Sequence, residues 1–355
     1  MAPHRDISFC RSSDGVELAM AVYGNGPPLV KAATWLTHIE LDQTAPFDRG
    51  LIDEFSPHFR YVTYDARGCG LSGRRVDDVS LDAWVRDLEA VVDALGLQTF
   101  SLLGVSQGAA IAVAYAARHP ERVSRLVLMG GFAASYFSTP NVPPQVLEEA
   151  QMLLKIVELG WGSASPALRQ VFVSKFMPDA TAEQWRAFDE LQKATAAPEM
   201  AVRYLRAMFN VDVKALAPQV RCPTLVLHRK GDQMVRFEQG RRLAGLIPGA
   251  RFVPLEGNNH VPFAHEPAWG PFTQEVRGFL ADGAPEARAL TALTARQLEV
   301  LRRVASGQTD KQIARDLALS PRTVEMHVAG AMKALGSKTR AEAVRHASEQ
   351  GQLGS

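Results

Sequence analysis

This chain contains a serine, an aspartate and a histidine that each follow a short apolar run and could together carry out nucleophilic catalysis. Ser106 lies in a Gly-x-Ser-x-Gly segment at 104–108, between an apolar run and an alanine-rich stretch. Asp232 closely follows the apolar run at 224–228, and His260 follows another such run. A serine hydroxyl becomes an effective nucleophile when an imidazole, itself held by a carboxylate, takes its proton. We therefore predict a serine hydrolase with Ser106, Asp232 and His260 as catalytic residues.

This chemistry also needs N–H donors for the oxyanion that forms when the serine attacks a carbonyl group. Gln107 begins a predicted helix, so its backbone N–H lies at the positive end of the helix dipole. We expect Gln107 to supply one of these donors. The arrangement requires a sharp strand-to-helix turn at residue 106, which the flanking glycines permit.

The elements that must position these residues alternate between short apolar strands and helices. Apolar runs bounded by Gly, Pro or Asp are typical of buried parallel strands. Such runs occur at 28–33, 59–65, 100–104, 125–129, 224–228 and 251–255. Helical patterns lie between them, for example at 81–95 and 107–118. The alternation predicts an α/β fold with a doubly wound sheet and right-handed crossovers.

The segment 134–217 interrupts this alternation. It has a helical pattern, is rich in aromatic residues and falls between two predicted strands. We predict that it forms a helical lid over the end of the sheet, with most aromatic side chains in the lid core and a minority facing a pocket. Beyond the last strand, a short Gly/Pro/Ala stretch indicates a linker. The expected organisation is a hydrolase domain at 1–282, a linker at 283–290 and a second domain at 291–355.

The second domain carries signals for short, capped helices. Three patterns match the capping box, at 294–297, 309–312 and 339–342, and Ser320-Pro321 is typical of a helix start. An apolar stripe at helical spacing comprises Val324, Val328, Ala331 and Leu335. We predict an all-α domain of four helices containing a helix-turn-helix, whose third helix enters the DNA major groove. The residues expected to face outward from that helix are Arg322, Thr323, Glu325, Met326, Ala329 and Lys333.

Composition and charge limit the possible function classes. The 355 residues carry a net charge of +1. Residues 287–355 contain eleven Lys and Arg against six Asp and Glu, a net charge of +5, which leaves −4 elsewhere. A basic module on an acidic body suits a segment that contacts phosphate. The three cysteines are widely spaced, so we expect a reduced, cytoplasmic protein without metal or cofactor. We expect neither a signal peptide nor a membrane partner, because the chain lacks long apolar runs.

Residues 10–280 resemble the α/β-hydrolase superfamily. Besides the segment 104–108, residues 65–72 match the family's D-x-R-G-x-G-x-S turn, and 119–123 match the segment after its nucleophile helix. The order Ser106, Asp232, His260 is also that of the family's triad. For Asp65 and Arg67, we expect a structural role in ordering the D-x-R-G turn.

One departure from the family pattern concerns the second oxyanion donor. Ala33 and Thr34 stand where the family usually carries His-Gly, and Trp35 follows. By position, the backbone N–H of Trp35 would be this donor. Losing one donor costs about 10²- to 10³-fold in rate, so turnover could be slow even with a complete triad.

Residues 293–345 closely resemble the LuxR-type (GerE-like) DNA-binding domain. The matching segments are 293–301, Gly307, 311–314, 317–320, 323–327 and 335–340. The resemblance implies transcription control by a homodimer on double-stranded DNA. The predicted DNA-binding residues are Lys311, Arg322, Thr323, Glu325, Met326, Lys333, Lys338 and Arg340. Glu325, Gly330 and Ala334 depart from residues frequent in the family, and Glu325 is repelled by phosphate although it can accept from cytosine.

Three hypotheses follow. In the first, the chain is a transcription regulator whose hydrolase domain senses, and in one version hydrolyses, a small ester, lactone or acyl ligand. In the second, the chain is a carboxylester hydrolase whose helical C-terminal domain only mediates oligomerisation. In the third, it is a non-catalytic receptor that keeps the triad for binding. An operator-binding measurement separates the first from the second, and Ser106→Ala separates the third from signalling that needs turnover.

Overall fold

The computed structural model describes residues 5–34, 37–45, 47–139, 141–281, 293, 295–317, 319–334, 337 and 339–349. It divides into two compact units, Met1–Asp282 and Gly283–Ser355. Within the described residues, no helix combines the length and the apolar character needed to cross a membrane.

The described part of the first unit builds an eight-stranded sheet with the strand order β1-β2-β4-β3-β5-β6-β7-β8. Strands β1 and β2 pair antiparallel and β2 pairs antiparallel with β4, whereas the other neighbours are parallel. The strands are β1 Arg5–Arg11, β2 Glu17–Tyr23, β3 Pro28–Lys31, β4 Arg60–Tyr64, β5 Phe100–Val105, β6 Val123–Met129, β7 Thr224–Arg229 and β8 Arg251–Leu255.

The six apolar runs predicted as strands form β3 to β8, which confirms the predicted α/β sheet. Five of these strands lie inside the sheet, where both faces are covered and nearly every residue is buried. The pattern did not predict β1 and β2. Strand β1 lies at an edge and is mostly exposed, so it has no continuous apolar run. The residues of β2 include Leu, Ala and Met, which favour helices over strands.

Helices cover both faces of this sheet. Helices α1 (Asp48–Phe55) and α9 (Trp269–Ala281) pack on one face, and α2 (Leu81–Ala94), α3 (Gln107–Arg118) and α8 (Phe237–Leu246) pack on the other. The start of α2 is capped by the Ser80 side chain, which accepts the Ala83 N–H at 3.2 Å. The two layers explain why the inner strands are apolar along their whole length.

The helical lid lies between β6 and β7. It contains α4 (Pro144–Gly160), α5 (Ala167–Phe176), α6 (Ala182–Thr195) and α7 (Pro198–Phe209). A buried Arg169–Asp189 ion pair joins α5 to α6, and the Trp161 indole N–H donates to the Ala196 carbonyl at 2.9 Å. The buried aromatic core of the lid includes Trp161, Phe172, Phe188, Tyr204 and Phe209.

Within the described part of the second unit, four helices surround a small apolar core. They are α10 (Ala295–Ala305), α11 (Asp310–Asp316), α12 (Pro321–Ala334) and α13 (Arg340–Glu349). Val324, Val328 and Ala331 of the predicted stripe are buried, while Leu335 lies outside the described residues. At the start of α11, the Thr309 N–H donates to the Gln312 side chain at 2.8 Å, as the capping pattern predicts.

Candidate active site and candidate DNA-contacting surface

Ser106 occupies a strained turn between β5 and α3. Its backbone has φ of 53° and ψ of −122°, a conformation that side-chain-bearing residues rarely adopt. The turn is held because the Ser106 N–H donates to the Met129 carbonyl at 2.9 Å on the neighbouring strand. Gly104 is required here, since an added Cβ would lie 2.6 Å from the Ala109 Cα. The strained turn presents the Ser106 hydroxyl beyond the carboxyl end of the sheet.

Asp232 and His260 follow β7 and β8 and meet beside this turn. His260 Nδ1 donates to Asp232 Oδ2 at 2.7 Å, and both side chains are buried. The other carboxylate oxygen accepts the N–H groups of Met234 and Val235 at 2.8 and 2.9 Å. Burial alone would raise the pKa of Asp232, but the charge on His260 and the hydrogen bonds from His228, His260 and Val235 lower it to about 2. Asp232 is therefore ionised at neutral pH.

His260 lines the same cavity as Ser106, and only one of its ring nitrogens is bonded to Asp232. Nδ1 carries the proton of the hydrogen bond to Asp232. In a neutral His260, Nε2 is therefore the nitrogen that can accept a proton. Among the described residues, this buried Nε2 has no hydrogen-bond partner. Ser106, Gln107 and His260 line one cavity of about 70 Å³. The structure thus brings together the three residues predicted to be catalytic and one predicted oxyanion donor.

The structure describes only one of the two predicted oxyanion donors. Gln107 is the first residue of α3, so its backbone N–H lies at the helix N-terminus beside Ser106. Trp35 lies outside the described residues. The prediction for Trp35 stays a prediction.

His228 is a part of this site that the sequence analysis missed. It is fully buried at the end of β7, and its Nε2 donates to the Val235 carbonyl at 2.7 Å. The same nitrogen lies 3.3 Å from Asp232 Oδ2. Asp232 therefore contacts two histidines. The available signal was a histidine four residues before the acid, at the end of a strand that is otherwise apolar.

The loop that carries His260 is anchored to the lid. The His260 N–H donates to the Phe176 carbonyl at the end of α5, at 2.7 Å, and the two rings meet edge to face. The Asn259 side chain accepts the Asp179 N–H at 2.9 Å and donates to Glu266 at 2.6 Å. A displacement of α5 is therefore transmitted directly to the histidine.

Replacing Gly257 by alanine is expected to destabilise the hydrolase unit by about 3 kcal/mol. Gly257 has φ of 114°, and an added Cβ would overlap the buried Arg229 guanidinium, which pairs with Glu266. Gly249→Ala is the matched control, since its φ of 68° is also positive but its surroundings are open. We expect about 1 kcal/mol for this control in urea unfolding. Equal losses in the two variants would contradict a role for the Arg229 contact.

Asp65 and Arg67 make the contacts expected of structural residues. The Asp65 carboxylate accepts the N–H groups of Ile39 and Leu71 at 3.0 and 2.8 Å. Arg67 is fully buried and donates to both oxygens of Asp87. Together they hold the turn after β4.

In the second unit, the first half of α12 carries four of the eight predicted DNA-contacting residues. Arg322 and Glu325 are exposed, Thr323 is half-buried and Met326 is 64% exposed. Lys311 is exposed on the preceding helix α11. The four residues on α12 lie opposite the buried Val324 and Val328, so this face of the helix is available to a partner.

The other three candidates differ. Arg340 donates to both carboxylate oxygens of Asp310, at 2.8 and 2.6 Å, so an acidic partner already neutralises much of its charge. Lys333 belongs to the last turn of α12, and Lys338 lies outside the described residues.

The fold of each unit agrees with comparisons to known families. A sequence model of the alpha/beta hydrolase fold matches residues 41–267, which is more than half of the chain. The chain belongs to the α/β-hydrolase family. Residues 291–347 match the model of the luxR family of bacterial regulatory proteins. The protein is thus an α/β hydrolase domain joined to a LuxR-type helix-turn-helix domain.

Individual relatives match the hydrolase part. The AB hydrolase superfamily protein YisY of Bacillus subtilis is 25% identical over 263 residues, which cover 73% of this chain and 94% of the relative. The 2-hydroxy-6-oxo-2,4-heptadienoate hydrolase of Pseudomonas putida is 27% identical over 245 residues, covering 64% and 76%. The esterase EaEST from Exiguobacterium antarcticum superposes with a TM-score of 0.65 at 23% identity, covering 77% and 98%. This structural likeness concerns the fold.

Proposed function

We propose that this protein is a transcription regulator whose hydrolase domain binds and cleaves a small ester, lactone or acyl ligand. The observation that carries the proposal is the buried His260, which is hydrogen-bonded to Asp232, lines the same cavity as Ser106 and has no partner for Nε2 among the described residues. The same chain carries a LuxR-type helix-turn-helix. The hydrolase class of its relatives supports the cleavage step.

In the proposed reaction, His260 takes the proton of Ser106 as its oxygen attacks the carbonyl carbon. Asp232 keeps the Nδ1–H tautomer and stabilises the imidazolium that forms. The Gln107 N–H binds the oxyanion, and Trp35 would supply the second N–H by its position. His228 and the N–H groups of Met234 and Val235 keep the carboxylate oriented.

On the DNA side, α12 is proposed to enter the major groove of a paired half-site as part of a homodimer. Arg322, Thr323 and Met326 are placed to contact bases or phosphates, while Glu325 can accept from cytosine N4. Lys311 on α11, with Lys333 and Lys338, would contact phosphates. Arg340 would join them at the cost of its ion pair with Asp310.

Ligand and DNA binding are proposed to be coupled. A ligand can shift the arrangement of the protein on DNA only by binding one state more tightly than the other. The lid contacts His260 through Phe176. Ligand binding or cleavage at the site is therefore proposed to act on the lid.

The test is fluorescence anisotropy of the purified protein on the DNA upstream of its own gene and on a scrambled duplex, across a salt series. We expect tighter binding to the native duplex, and about tenfold weaker binding for Arg322→Ala. The control is Arg303→Ala, because Arg303 pairs with Asp316 and lies on α10.

Equal, salt-sensitive binding to both duplexes would favour the carboxylester hydrolase with an oligomerisation domain. Two features favour that second candidate: Arg340 is ion-paired with Asp310, and Glu325 is exposed on α12. Sequence-specific DNA binding that does not change when an ester substrate of the protein is added would contradict the coupling.

A further inference from the structure

Among the described residues, two cavities of unequal size meet at Ser106. The larger has a volume of about 330 Å³ and the smaller about 70 Å³. Ser106 lines both, so a carbonyl group attacked by its hydroxyl would have one substituent directed into each cavity.

The position of His260 determines which substituent of the carbonyl group enters which cavity. The leaving alcohol must take its proton from His260, so it has to lie on the histidine side of the carbonyl carbon. His260 and Gln107 line the small cavity, and neither lines the large one. The leaving group is thus assigned to the small cavity and the acyl group to the large one.

The volumes then limit the two parts of the substrate. The small cavity therefore suits a small leaving group, and the large cavity suits a longer acyl group. Most side chains that line the small cavity are apolar, including Phe188 and Leu191, and Lys31 and Asp48 also line it. Large apolar side chains, including Phe132, Met208 and Phe209, form walls of the large cavity.

The large cavity also has a basic part, formed by two solvent-exposed arginines. These are Arg236 and Arg242, and its lining contains no acidic residue among those described. Arg236 lies 3.8 Å from Glu149, whereas Arg242 has no ion-pair partner in the described part of the chain. Cationic side chains in the lining of a mostly apolar cavity suit a ligand whose apolar chain ends in an anionic group.

We propose that the substrate is an ester of a small alcohol with a medium-length apolar acyl chain that ends in a carboxylate. This inference rests on the proposed function, since it assigns the substrate class of the same site. Ser106 Oγ bonds to the acyl carbon while its proton passes to His260 Nε2. The bond to the small alcohol then breaks, and the alcohol leaves with that proton. Water attacks the acyl-enzyme and loses a proton through His260, and the acid leaves as Ser106 regains its proton.

The size assignment is tested with two isomeric esters, methyl octanoate and heptyl acetate, which have the same composition and differ only in the side that carries the chain. We expect kcat/KM for methyl octanoate to be at least about tenfold higher. Leu191→Ala should raise the heptyl acetate rate selectively, whereas Leu159→Ala, an exposed lid change outside both cavities, should not. Val146→Phe, which fills the large cavity, should lower the methyl octanoate rate selectively.

The acidic terminus is tested with monomethyl suberate against dimethyl suberate, corrected for its two ester groups. We expect a preference for the monoester that falls about two- to fivefold in Arg242→Gln and with added salt. Arg241→Gln is the matched control, because the neighbouring Arg241 pairs with Glu238 and does not line the cavity.

A fluorophosphonate that labels Ser106 separates the two levels of failure. Absence of labelling in the folded protein would overturn the proposed hydrolase function itself. Labelling combined with equal rates for the two isomers, or with faster heptyl acetate hydrolysis, would overturn the cavity assignment. A size preference without a monoester preference would overturn the role of the arginines.

Discussion

Ser106→Ala is expected to lower kcat for methyl octanoate hydrolysis by about 10⁴- to 10⁶-fold. The variant keeps the cavity and the His260–Asp232 pair but removes the oxygen that attacks the acyl carbon. The residual rate would come from binding and from the oxyanion donors alone. The measurement is single-turnover hydrolysis, with thermal unfolding used to show that the variant is folded.

Ser124→Ala is the control, since it removes an exposed serine hydroxyl of β6 that is hydrogen-bonded to Ser101 at 3.3 Å. We expect unchanged hydrolysis for this variant. More than 1% of the wild-type rate in folded Ser106→Ala would remove Ser106 from the role of nucleophile. The same variant tests signalling: a receptor that only binds its ligand would still change operator affinity, whereas a regulator that needs acylation would not.

Asp232→Asn is expected to lower kcat by about 10⁴-fold near neutral pH. The amide nitrogen of asparagine is a donor, so it would favour the His260 tautomer whose Nδ1 accepts and whose Nε2 already carries a proton. Such a histidine cannot take the proton of Ser106. The imidazolium would also lose a carboxylate whose pKa of about 2 keeps it charged throughout the neutral range.

The measurement is the pH profile of kcat/KM for the variant and for Asp212→Asn, a control at a lid carboxylate that pairs with Lys214. We expect the wild-type profile for the control. For Asp232→Asn, we expect a low rate near neutral pH. The thermal unfolding temperature should stay that of the wild type. A loss smaller than about tenfold would indicate that a group other than Asp232 orients His260.

The parts of the fold that follow from local patterns were predictable. The runs that became β3 to β8 are apolar because both sheet faces are covered, and the start of α11 carries a capping pattern that forms within four residues. Strands β1 and β2 escaped prediction because an exposed edge strand has no apolar run and because Leu, Ala and Met do not favour strands.

The candidate site divides in the same way. Ser106 and Gln107 lie in one short motif, and Asp232 and His260 each follow a recognisable strand, so sequence order alone could nominate them. His228 could not be nominated, because its role depends on a contact with Asp232 that only the folded β7 loop creates. Arg340 looked like a free cation, yet its partner Asp310 lies 30 residues earlier.

By itself, the sequence determined that an α/β-hydrolase body and a LuxR-type helix-turn-helix share one chain, because motifs, caps and apolar periodicity are encoded over a few neighbouring residues. Only the tertiary structure decided that Nε2 of His260 has no hydrogen-bond partner within the described residues, that the end of α5 contacts the His260 loop, and that cavities of about 330 and 70 Å³ both reach Ser106. Those features are formed by side chains from distant segments. Their volumes and contacts follow from packing in three dimensions, which no local pattern records.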